Sequence, residues 1–103
     1  MASRTAAIPM HPLVIERKVK GGKLFRLRVT GAEDTLSVQL TGDFFLEPEE
    51  GIEVIERCLP HCFRLPDQRM AELRLSEEIA KAQIRISGFE VKDIIEALWE
   101  ARS

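Results

Sequence analysis

Two thiols and an imidazole share one short stretch, Cys58-Leu59-Pro60-His61-Cys62, and no other part of this chain has residue types so suited to chemistry. Thiolate and imidazole are soft ligands, so the stretch raises a metal or iron–sulfur centre. Against that, the spacing is C-x3-C, there is no second cysteine pair, and Pro60 constrains the chain between the thiols. The other histidine, His11, stands in the N-terminal lead-in. Free cysteine is commonly buried as a small hydrophobe, so Cys58 and Cys62 are expected to pack near a helix end without a metal.

Other chemistries fare no better. Two histidines, one of them in the lead-in, build no Ser-His-Asp or Cys-His arrangement, and there is no P-loop, Rossmann fingerprint or zinc pattern. Lys20-Gly21-Gly22-Lys23 is too short to cradle a phosphate and lies between two strand-like runs, so it reads as a hairpin turn. The carboxylates Glu47, Glu49, Glu50, Glu53 and Glu56 spread around the start of a helix, as a solvated face does. No catalytic residue is expected on this chain.

One motif remains. Gly42-Asp43-Phe44-Phe45 holds two of the five phenylalanines beside a carboxylate. As a structural corner, Gly42 would permit a backbone bend and Asp43 would cap amides at a helix start, while one ring packs between sheet and helix. As a binding lip, the other ring would face a partner.

The elements that must position these residues follow from periodicity. Residues 13–19 alternate, with Leu13, Ile15 and Val19 on one face. In 24–30, Phe25, Leu27 and Val29 oppose Arg26, Arg28 and Thr30; in 35–41, Leu36, Val38 and Leu40 oppose Thr35, Ser37, Gln39 and Thr41. Period two with one apolar face predicts an antiparallel three-stranded meander, turned at 20–23 and at 31–34.

The period then changes. Pro48 suits a first helical turn, Ile52, Ile55 and Leu59 form a stripe, and Pro60 is expected to end that helix. Asp67 is placed to cap a second helix carrying Met70, Leu73, Ile79 and Ala80. Residues 83–87 read as extended, Gly88 breaks them, and residues 90–102 form a third helix with Val91, Ile94, Ile95, Leu98 and Arg102 on one stripe and Trp99 on its flank. A sheet with one apolar face needs a cover, and these helices supply it. The expected fold is a two-layer α+β domain. Residues 1–12 are expected to form a loosely ordered lead-in and 13–103 a single domain.

Bulk properties agree. Of 103 residues, 45% are hydrophobic and 31% charged, the balance of a foldable, water-facing domain. A net charge of -2 excludes a globally basic nucleic-acid binder, and no apolar run approaches a membrane span. With no signal-peptide pattern, a cytosolic protein with reduced thiols is expected. Charge is unevenly placed: Arg17, Lys18, Lys20, Lys23, Arg26 and Arg28 come with no acid between 17 and 28, whereas eight acids and no base fall between 31 and 56. A basic sheet face carrying Arg26, Arg28 and Arg17 would steer a partner, or simply discourage edge pairing.

Val19-to-Val29 with its Gly-Gly-Lys turn, then Leu36-to-Leu59 with Gly-Asp-Phe-Phe and Pro-Glu-Glu, then Ser87-to-Leu98 with a Gly, a polar turn and a final helix, resemble the small accessory domain of lipoate–protein ligases. The resemblance covers roughly residues 13–100 and is weak between 60 and 82. The large catalytic domain has no counterpart, so the chain is similar to the free-standing small subunit of the archaeal-type split ligases. The resemblance implies a non-catalytic accessory subunit whose partner, the large subunit, binds ATP, magnesium and lipoate and makes lipoyl-adenylate. The lipoyl group would pass to acceptor domains such as those of 2-oxoacid dehydrogenases or the glycine cleavage system. It marks Gly42, Asp43, Phe44 and Phe45 as signature residues and Gly21 and Gly22 as the turn, with Lys23, Arg26 and Arg28 beside them for docking. Two rivals are an iron–sulfur or sulfur-transfer scaffold, which needs an exposed reactive cysteine, and a small nucleic-acid-binding module, which would need stacking aromatics on the basic face.

Overall fold

Alternation in the first three runs becomes a sheet because one face of each strand is apolar and the other is not. In the computed structural model, which describes residues 13–19, 21, 23–31 and 35–102, β1 (Leu13–Lys18), β2 (Leu24–Thr30) and β3 (Ser37–Gly42) pair antiparallel in the order β1-β2-β3. The register sets Ile15 opposite Leu27, and Leu27 opposite Leu40. Phe25, Leu27, Val29, Val38 and Leu40 are all buried on one face. Val14, Glu16, Lys18, Arg26, Arg28, Ser37, Gln39 and Thr41 are exposed on the other. The expected lead-in at 1–12, most of the 31–34 turn, and Lys20 and Gly22 lie outside the described residues.

Three helices cover the apolar face: α1 (Gly51–Arg64), α2 (Gln68–Lys81) and α3 (Val91–Arg102). Ile55, Leu59, Leu75, Ile94, Ile95 and Leu98 are fully buried beneath the sheet, and this α+β core is the two-layer arrangement that the patterning predicts. A second, two-stranded sheet was not expected: β4 (Phe45–Glu47) pairs antiparallel with β5 (Arg85–Ser87), so a short ribbon separates the end of β3 from α1.

Two prolines act differently from expectation. Pro48 follows a cis peptide bond and lies in a turn ahead of the helix, which begins at Gly51. Pro60 does not end α1 but sits inside it. A mid-helix proline costs about 3 kcal/mol, yet Ile55, Cys58, Leu59 and Cys62 bury the same face on either side of it, and at roughly 1.5–3 kcal/mol per buried side chain that packing outweighs the loss. The actual stop is Leu65, extended at φ -70°, ψ 150°, because Pro66 disfavours helix in the residue before it. Arg102 Nη1 donates to the Leu65 carbonyl at 2.8 Å, tying the α1–α2 corner to the last turn of α3.

Asp67 caps α2 as expected, its carboxylate accepting from Met70 N at 3.0 Å. The buried stripe is shifted, however: Ala71 and Leu75 are fully buried with Ile79 half-buried behind them, whereas Met70 and Leu73 face solvent. Ala71, small enough for close helix contact, replaces the larger residues that hydrophobicity alone favours.

Glu56, taken from sequence as part of a solvated face, instead reaches the sheet, its Oε2 accepting from Leu40 N at 2.8 Å. This satisfies an amide on the outer edge of β3, which has no neighbouring strand on that side among the described residues. Glu56→Ala is expected to cost about 1–3 kcal/mol in urea unfolding, the range for losing a charge-assisted bond and stranding its donor. Glu56→Gln, which keeps an acceptor, should recover part of that.

Candidate functional site

The Gly-Asp-Phe-Phe corner is built by two glycines and a third aromatic. Gly42 closes β3 opposite Phe25 with φ +148°. A Cβ there would run into the Leu24 carbonyl oxygen and come within 2.6 Å of Phe25 Cα, both of them backbone. The pairing with β2 carries on one residue further, and Asp43 N donates to Leu24 O at 2.7 Å. Farther along the sequence, Gly88 at φ +116° lets the β5–α3 connection lie against the same corner; a Cβ there would sit 2.9 Å from Phe44 Cβ and 3.1 Å from the Asp43 carbonyl.

The two phenylalanines part company here. Phe44 is half-buried and meets the ring of Phe89 edge-on, centroids 5.1 Å apart at 87°. Phe89 in turn packs on Phe25 at 6.0 Å, so three rings run from the sheet through Phe89, just ahead of α3, to the corner. Phe45 begins β4 opposite Ser87 and is 63% exposed. With Phe44, Leu46, Glu49 and Ile52 it lines a shallow depression of about 190 Å³. Asp43 is not a helix cap: α1 starts eight residues later, and the exposed Asp43 carboxylate has no partner among the described residues. On β4, Leu46 turns inward and Glu47 pairs with Arg85 at 3.5 Å.

The register brings separate segments to one end of the sheet. Lys18 lies opposite Leu24 and Phe25 opposite Gly42, so the β1–β2 turn, with Gly21 at φ +88° and Lys23, meets the corner. Between that turn and the start of α3 opens a cleft of about 620 Å³ lined by Val19, Ser87, Gly88, Phe89, Glu90, Lys92 and Asp93. Asp93 Oδ2 accepts from Glu90 N at 2.8 Å, closing the first turn of α3.

The basic face is smaller than the sequence implies. Arg17 does not join Arg26 and Arg28: its strand parity turns it to the covered face, where it pairs with Glu100 at 2.5 Å and Glu96 at 3.9 Å on α3. On the open face Arg26 pairs with Glu16, its cross-strand neighbour. That leaves Lys18, Lys23 and Arg28 as exposed cations without a described partner. Among the described residues no aromatic stands on that open face, so stacking on nucleobases finds no platform on these strands.

The thiols sit apart from all this. Cys58 and Cys62 are buried in α1, with sulfurs 3.7 Å apart. The hydrogen bond from Cys62 holds the Cys58 thiol below the ordinary value, with help from Arg74 and against burial and Glu78. The same bond, then burial, pushes Cys62 up. No group of three His, Cys, Asp or Glu among the described residues is placed to hold a metal ion, and neither cysteine is on an exposed loop as a sulfur scaffold requires. No helix among them is long and apolar enough to cross a membrane.

Sequence reasoning missed Phe89, whose only signal was its place just after Gly88, and it missed the β4–β5 ribbon, whose three-residue strands are too short to show a period. The chain matches no protein-family model, no curated protein and no solved structure.

Proposed function

We propose that this chain is a non-catalytic accessory subunit of a two-subunit lipoate–protein ligase, acting with a large catalytic subunit that binds ATP, magnesium and lipoate and forms lipoyl-adenylate for transfer to acceptor domains. The observation that carries this reading is convergence. The three segments in which the resemblance resides, at the β1–β2 turn, the Gly-Asp-Phe-Phe corner and the start of α3, are distant in sequence yet meet at one end of the sheet. Folding alone explains Gly42, Phe44, Gly88 and Phe89. It does not explain Phe45, 63% exposed beside that corner, since a large exposed aromatic contributes little to the core and much to an interface.

Adenylate formation needs water excluded and phosphate charge stabilised at the catalytic site. An accessory subunit that binds the closed form of its partner better than the open form shifts the partner toward closure by that difference in affinity. Phe45 would anchor the contact, and Lys18, Lys23 and Arg28 would steer its approach.

Phe45→Ser removes the anchor without touching the core. It is expected to weaken activation of the large subunit about tenfold or more, the effect of losing roughly 1.4 kcal/mol at an interface anchor, measured as lipoyl-adenylate formed from ATP and lipoate. Arg28→Glu should slow association and make it less sensitive to salt. Full adenylate formation by folded Phe45→Ser and Arg28→Glu proteins would overturn the docking surface. No adenylate from the unmodified pair, with the large subunit shown to transfer supplied lipoyl-adenylate, would overturn the function.

A further inference from the structure

We propose that Cys58 and Cys62 form a reversible dithiol–disulfide couple within α1, with Cys58 the thiol that meets a small hydroperoxide and Cys62 the thiol that resolves it. This goes beyond the docking role and does not depend on it.

Three features of the fold converge on the pair. First, the sulfurs are already 3.7 Å apart. Residues four apart in a helix have Cα atoms about 6.2 Å apart by helix geometry, inside the roughly 4.4–6.8 Å span that disulfides bridge. Second, Pro60 lies between them. Its missing N–H removes the helical bond to the carbonyl four residues back, so the turn carrying both thiols has more freedom to draw the sulfurs together than a fully bonded one. Third, access is unequal. Cys58 lines a cleft of about 180 Å³ between α1 and α2, together with Val54, Arg57, His61, Arg74 and Glu78. Cys62 lies beneath it, with no exposed surface, and is in contact with the Ala71 carbonyl at 3.6 Å.

The environment favours the same order of events. A thiolate is the nucleophile, and the thiol whose charged form is supported by a hydrogen bond from its neighbour and by Arg74 is Cys58. Arg57 and Arg74 at the cleft also suit the hydroxide that departs. The Cys58 sulfur attacks one peroxide oxygen and the O–O bond breaks. Hydroxide leaves and takes up the proton that Cys58 gave up, forming water, and Cys58 becomes a sulfenic acid. The Cys62 sulfur then attacks the Cys58 sulfur and displaces hydroxide, which leaves as a second water with the Cys62 proton. Two thiols are oxidised to one disulfide, and hydrogen peroxide, the simplest such oxidant, is reduced to two waters. Oxidation removes the one Cys62 S–H proton, which serves either the Cys58 sulfur or the Ala71 carbonyl 3.6 Å away, so it alters the α1–α2 contact at the cleft floor.

The test treats the whole chain with hydrogen peroxide and reads intact mass without reductant. The expected result is a loss of about 2 Da, the two thiol hydrogens, with peptide mapping that joins Cys58 to Cys62 and full reversal by dithiothreitol. In Cys62→Ala, checked for folding by circular dichroism, Cys58 should stop at the sulfenic acid and be trapped by dimedone. In Cys58→Ala, Cys62 should take up no dimedone. An unchanged mass, a disulfide between two chains, irreversible gain of oxygen without cross-linking, or faster labelling of Cys62 would each overturn the proposal, and the unsubstituted protein alone suffices to read the first three.

Discussion

Replacing Gly42 with valine is expected to lower stability by about 3 kcal/mol, read as a fall in the urea midpoint with an unchanged slope. Two costs add. At φ +148° a side-chain-bearing residue is strained, by an amount on the order of 1–3 kcal/mol. The new Cβ also meets the Leu24 carbonyl and Phe25 Cα. Neither neighbour can rotate away, because both belong to the backbone of the central strand. Relief therefore requires β3 to pull off β2, which breaks the bond from Asp43 N to Leu24 O and forfeits roughly 1 kcal/mol more. The damage should be local: amide exchange should accelerate first at residues 41–45 and at their partners on β2. Thr41→Ala, one residue away and exposed, should stay within about 0.5 kcal/mol of the parent. A Gly42→Val protein as stable as the parent would mean that Gly42 does not lie this close to Leu24 and Phe25.

Gly42 also shows how far the sequence could be read. A glycine ending a clean period-two run announced a bend, and the bend is there. The sheet was legible for the same reason: in β2 and β3 every apolar residue of the alternating set is buried, and hydrophobic alternation has only one way to satisfy a one-sided sheet. What the corner does next was not legible. Phe44 precedes β4 and Phe45 begins it, and two identical adjacent side chains carry no information about which of them packs inward. The choice is made by Gly88 and Phe89, more than forty residues downstream, which offer a close backbone approach and an edge-on ring to Phe44 alone.

The remaining misses share that non-local cause. Pro60 breaks a helix on local propensity, yet the burial of Cys58, Leu59 and Cys62 carries α1 through it. Met70 and Leu73 look like a core stripe by hydrophobicity, but the contact with the neighbouring helices selects Ala71 and Leu75. Glu56 resembles its solvated neighbours until the edge of β3 offers it an amide. Arg17 resembles the basic face by composition, but the strand parity of β1 gives it to Glu96 and Glu100. In each case the residue type was compatible with two environments, and a partner from another element decided between them.

Phe89→Ala is expected to have the largest effect, about 3–5 kcal/mol, the usual cost of deleting a buried phenylalanine. Phe89 is 7% exposed and is the middle ring of the Phe25–Phe89–Phe44 series, so its loss removes two ring contacts as well as buried area. It also releases Phe44, which would then hold the corner against the β5–α3 connection with no ring behind it. Phe89→Leu, which keeps most of the volume, should cost roughly 1–2 kcal/mol and leave the protein folded at 25 °C. That milder variant separates positioning from contact. If Phe89 acts by orienting the corner that presents Phe45, Phe89→Leu should reduce both stability and activation of the proposed large subunit. Phe45→Ser should reduce activation alone, with stability within about 0.5 kcal/mol of the parent. Equal activation by folded Phe89→Leu and parent proteins would show that the surface tolerates a loosened corner, and then Phe45 would have to be an anchor that finds its own pocket rather than one held in place by the three rings.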